Sequence, residues 1–188
     1  SYYKRSVIDI TNYQNAYDCA ERVSKMLPDK KDETRKNLFF IVEFKWAENI
    51  KNISQSSDAD LKRIYSEIEG FAKRFPNSKF LKNITNKVSS RIADELKGEE
   101  LDYDHLKYSL LIKERLNLKD KEILDLLVKG CESVLENVES PSDEVSADIN
   151  KSFESCIKIS PPDKKKRLTA LKERFVKSDK VRIYKNSL

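Results

Sequence analysis

A chain of 188 residues, 37% charged and 38% hydrophobic, has enough material for a continuous core beneath a heavily charged surface. With 3 glycines and 5 prolines it lacks the turn residues of an all-β protein and cannot build a Gly-rich phosphate loop. No apolar run approaches the roughly 18 residues of a membrane span, and the net charge of +5 is unevenly spread: residues 131–150 carry six acids and no base, residues 164–185 ten bases against two acids.

Apolar residues recur at helical spacing along most of the chain. Tyr13, Ala16, Tyr17, Ala20 and Val23 form a first stripe, with Thr11 as its expected cap and Pro28 just beyond its end. Leu38, Ile41, Val42, Trp46, Ile50 and Ile53 form a second, after a cap at Asp32; Phe39, Phe40 and Phe44 widen it, as for a central helix packed on several neighbours. Leu61, Ile64, Tyr65, Ile68, Phe71 and Phe75 form a third, capped by Ser57 or Asp58 and stopped at Pro76. Leu81, Ile84, Val88, Ile92 and Leu96 form a fourth, with Gly98 where a left-handed C-terminal residue belongs.

Leu106, Leu110 and Leu111 anchor a fifth helix, with Asp102 and Asp104 as caps. Ile123, Leu127, Cys131, Val134 and Val138 anchor a sixth after Asp120. Val145, Ile149, Phe153 and Cys156 form a seventh, ended by Pro161-Pro162, and Leu168, Leu171 and Phe175 an eighth, with Pro162 in its first turn. Helix pairs therefore start near residues 11, 58, 103 and 142, a period of two-helix solenoid repeats. Residues 1–10 and 179–188 are expected as extended tails.

One stretch resembles a catalytic pattern. Pro28-Asp29 followed by Glu43 and Lys45 has the order of a PD-(D/E)xK nuclease, in which carboxylate and ammonium must share one face of a strand to hold a metal and its water. "FFIVEF" has strand-like composition, but no neighbouring strand is evident for a sheet. On a helix Glu43 and Lys45 point about 200° apart. The helix also explains more residues, so no catalytic residue and no metal site is assigned. His105 is the only histidine and has no strained elbow near it. Cys19, Cys131 and Cys156 are odd in number and lack metal-ligand spacing; unpaired thiols in a reducing compartment, cytoplasm or nucleus, are expected.

The strongest binding signal is basic: Lys164, Lys165, Lys166, Arg167, Lys172, Arg174, Lys177, Lys180 and Arg182. With Leu168, Leu171 and Phe175 facing inward, these lysines and arginines offer a phosphate-binding face, a solvated face, or an intramolecular partner for the acidic 131–150 segment. Few aromatic residues accompany them.

The expected fold is all-α: seven to eight antiparallel helices, as a short α-solenoid or a compact helical bundle, forming one domain over 1–188. The chain opens on Ser1, not Met, and is read as part of a larger protein. The expected function is a non-enzymatic protein–protein interaction or scaffold module of an intracellular protein, docking a partner's peptide or helix in a groove without a cofactor. The alternative is sequence-independent nucleic-acid binding through the basic stretch. The second alternative is the metal-dependent nuclease.

Overall fold

A computed structural model describes residues 12–26, 31–56, 59–98, 101–136, 138–139 and 142–186. Among them are eight helices and no strand. In chain order these are α1 (Tyr13–Met26), α2 (Lys31–Gln55), α3 (Leu61–Arg74), α4 (Leu81–Lys97), α5 (Tyr103–Leu116), α6 (Lys121–Glu136), α7 (Asp143–Ile159) and α8 (Pro162–Asn186). The odd-numbered helices begin within a few residues of the starts expected from the apolar spacing. Among the described residues no helix is long and apolar enough to cross a membrane.

The helix ends follow side-chain chemistry, with several corrections. Asp60, not Ser57 or Asp58, caps α3 by accepting from the Arg63 N–H at 2.7 Å; Ser57 and Asp58 lie outside the described residues. Thr11 does too, and Asn12 accepts from the Asn15 N–H at 3.1 Å instead. Asp32 is not a cap, because α2 already starts at Lys31. Asp102, Asp120 and Ser142 accept from the N–H three residues on, as N-terminal caps do. No described glycine has positive φ, so Gly98 is not a left-handed cap. That conformation is taken by Asn117 (φ 50°) after α5, where the Leu118 N–H reaches back to the Lys113 carbonyl at 3.0 Å.

Residues 179–186, expected as part of an extended tail, are helical, because α8 runs on to Asn186. The Val181/Ile183 alternation is too short to outweigh a helix already under way. The N-terminal tail 1–10 lies outside the described residues.

The chain forms two compact units, divided within α4 after Val88. In the first, α1 packs on α2 and α2 on α3. Its core is built on Val42, Trp46, Ile50, Ile64, Ile68 and Phe71, all 1% exposed or less. In the second, α6 packs on α5, α7 and α8, and α7 on α5 and α8. Leu106, Leu127, Cys131, Ile149, Phe153, Cys156 and Leu168 are fully buried there.

Cys131 on α6 and Cys156 on α7 are joined by a disulfide, their Cα atoms 6.0 Å apart. This corrects the expectation of unpaired thiols at these two positions; Cys19 is free and exposed. Both bridged cysteines lie on apolar stripes, and packing α6 against α7 brings those stripes face to face.

Candidate docking surface and the basic helix

The run "FFIVEFKW" on α2 distributes its apolar residues all round the helix. At about 100° per residue, Phe40 and Phe44 fall about 160° and 200° from Val42, opposite the stripe that fills the core. Phe40 is accordingly 57% and Phe44 39% exposed, so they do not widen a buried face as the sequence reading had them. They stack on each other with ring centroids 6.5 Å apart. Phe80, from the turn before α4, closes on both, at 5.9 Å from Phe40 and 5.6 Å from Phe44. The result is a ridge of three rings, Phe40 and Phe44 exposed and Phe80 half-buried, with the Lys45 ammonium 5.9 Å from the Phe44 ring.

Beside the ridge lies an open groove of about 620 Å³, with Tyr17, Phe39 and Phe75 among its lining and Arg35, Lys36, Glu43 and Arg74 as its charged groups. Arg35 stands over Phe39 at 5.7 Å, and Arg74 over Tyr17 at 5.5 Å. Arg74 also approaches Asp18 at 3.7 Å, whereas Arg35 and Lys36 are exposed and have no ion pair among the described residues.

Packed side chains lie behind this surface. Trp46 is 0% exposed; its indole N–H donates to Glu67 at 2.6 Å, and Phe71 meets its ring edge-on at 5.7 Å. Tyr13 stacks on the indole at 6.0 Å. Burial first, and then the Glu67 charge, push the Tyr13 hydroxyl above its ordinary value.

The basic helix is placed differently from a free phosphate-binding face. Leu168, Leu171 and Phe175 are buried, as expected. Lys164 reaches Glu132 on α6 at 2.6 Å, and Arg167 reaches Glu136 at 3.1 Å. Lys172 pairs with Glu154 at 2.9 Å, and Arg174 donates to the Glu136 carbonyl at 2.6 Å. Glu132 and Glu136, two of the six acids of the 131–150 segment, are thus intramolecular partners of α8. Lys165, Lys166 and Lys177 stay exposed with no ion pair among the described residues. Lys180 and Arg182 lie on α8, their side chains outside the description.

Among the described residues, the other candidates are not brought together as a reactive site. α2 is helical from 39 to 45, so the strand needed by the nuclease arrangement is absent, and Asp29 lies outside the described residues. The His105 ring sits between Asp102 at 2.7 Å and Glu95 at 3.4 Å, both carboxylates, with no hydroxyl or thiol bonded to it among the described residues. Burial raises Asp102, but the backbone and ring N–H groups of His105 outweigh it and hold the carboxyl below its ordinary value. A second polar cluster joins α5 to α7: Lys107 meets Asp148 at 2.5 Å, and Tyr103 shares a hydrogen bond with Ser152 at 3.1 Å.

The aromatic ridge was the feature the sequence reading missed. The available signal was an apolar run wider than one helix face can bury. Compared with protein-family models, curated proteins and solved structures, the chain matches none.

Proposed function

We propose that this chain is a non-enzymatic docking module that holds a segment of a partner protein against the α2 surface. The observation that carries this reading is the Phe40–Phe44–Phe80 ridge, with two rings well exposed on an otherwise charged surface. Exposed large aromatics in contact with one another lose water on binding and typify interface centres. The intramolecular ion pairs of α8 add weight, because they occupy much of the competing surface.

The test is photocrosslinking in the source cells, with p-benzoylphenylalanine at Phe44 and, as control, at exposed Thr169 on α8. A protein adduct from position 44 that is absent from 169 and lost with Phe40→Ser is expected. No adduct at 44 would remove the reading.

The runner-up is sequence-independent nucleic-acid binding, favoured by exposed Lys165, Lys166 and Lys177. Its signature would be affinity falling steeply with salt, and equally for all sequences, as phosphates shed counterions. Titration of single-stranded DNA and RNA at two salt concentrations separates the two readings.

The expected reducing compartment rested on unpaired thiols. A bridge such as Cys131–Cys156 is of the kind that persists in oxidising surroundings, so an oxidising compartment is proposed as the alternative to the reducing one. Thiol trapping on protein taken directly from its source reads the state of the bridge.

A further inference from the structure

We infer that the groove beside the ridge selects an acidic, amphipathic segment of the partner: a large apolar side chain laid along Phe39 and Phe40, with carboxylates directed at Arg35 and Lys36. This rests on the docking reading above and names the chemistry of what docks.

Three observations carry it. The groove is large enough for several side chains, at about 620 Å³, and is floored by aromatic rings that reward apolar contact. Its charged wall has three cations, Arg35, Lys36 and Arg74, against the single carboxylate of Glu43. Arg74 already leans on Asp18 and the Tyr17 ring, whereas Arg35 and Lys36 are exposed and have no ion pair among the described residues. The Arg35 guanidinium carbon lies 5.7 Å from the Phe39 ring centroid, and a guanidinium held at an aromatic ring can still offer N–H groups to a carboxylate.

A basic segment would meet Arg35 and Lys36 with like charge, and a neutral one would leave them without a counter-charge. Single-stranded nucleic acid fits less well. Phe40, Phe44 and Phe80 pack on one another instead of standing apart as platforms for successive bases.

The experiment is selection of a displayed random-peptide library on the full chain, followed by anisotropy titration of labelled winners. The titrations use wild type, Phe40→Ser and Arg35→Ser/Lys36→Ser, with circular dichroism confirming that each is folded. Winners should be net negative with a large apolar residue. Each variant should bind them about tenfold or more weakly, and binding should weaken as salt rises. Neutral or basic winners that still need Phe40 would overturn the acidic chemistry and leave the docking surface standing. Winners indifferent to Phe40→Ser would overturn the docking surface itself. No enrichment over an unrelated helical protein would overturn both. Oligo(dT) binding abolished by Phe40→Ser would overturn the proposal in favour of nucleic acid.

Discussion

Trp46 concentrates the first unit's stability in one side chain. It is wholly buried, and its only polar atom is paired with Glu67. Trp46→Ala removes that packing and leaves a cavity, so it should cost roughly 3–5 kcal/mol in denaturant titrations followed by circular dichroism. Blue-shifted, poorly quenched native fluorescence belongs to the same picture; red-shifted emission would contradict it. Gly70 is the complementary position. A Cβ there would lie 3.0 Å from Trp46 Cζ2 and 2.9 Å from the Gln14 amide nitrogen. Gln14 is exposed and free to swing away, but the indole is held by Phe71 and Tyr13. Gly70→Ala should therefore destabilise by about 1–3 kcal/mol. A wild-type denaturation midpoint would mean that the ring shifts without cost.

Between elements, charge pairs join helices, and two of them bear predictions. Lys107 on α5 and Asp148 on α7 hold each other charged: their hydrogen bond raises Lys107 from 10.5 and lowers Asp148 from 3.8. Asp148 is lower in the folded chain, so its contribution is complete above 3.8 and is lost as pH falls through the folded value. Lys107 is higher in the folded chain, so its contribution is complete below 10.5 and is lost as pH rises through the folded value. Asp148→Asn should flatten the loss of stability on the acid side, read from denaturation midpoints across that range. An unchanged acid limb would show that the pair is too well solvated to matter. On α6, Glu132 is 9% exposed and faces Lys164 and Arg167. Glu132→Lys sets three like charges together and should speed amide exchange in the first half of α8 by about tenfold or more. Unchanged exchange would mean that Leu168, Leu171 and Phe175 hold the helix unaided.

At the scale of the molecule, the two contact units carry separate probes. Trp46 lies in the first and the Cys131–Cys156 bridge in the second. The bridge spans 25 residues of sequence, and its removal should cost roughly 3 kcal/mol through loop-closure entropy of the unfolded chain. Cys131→Ala/Cys156→Ala should lower the unfolding midpoint seen by circular dichroism and leave the tryptophan-detected midpoint in place. This outcome requires each contact unit to be its own cooperative unit. Midpoints that fall together would show one cooperative transition for the chain.

Helical periodicity was legible because it is a local property: Leu61, Ile64, Ile68 and Phe71 share a face whatever lies opposite. So were Trp46 in the core, the caps at Asp102 and Asp120, and the inward face of α8. The helical reading of residues 39–45 also removed the strand behind the nuclease pattern. The fate of Phe40 and Phe44 was not legible, because a helix that is apolar all round does not say which side has a neighbour. Nor were the Lys164–Glu132 pair and the Cys131–Cys156 bridge. Charge balance and residue type name the candidates, but pairing depends on distances between positions 25 or more residues apart. Those distances are set when α6 packs against α7 and α8, and nothing in either partner's own segment encodes them.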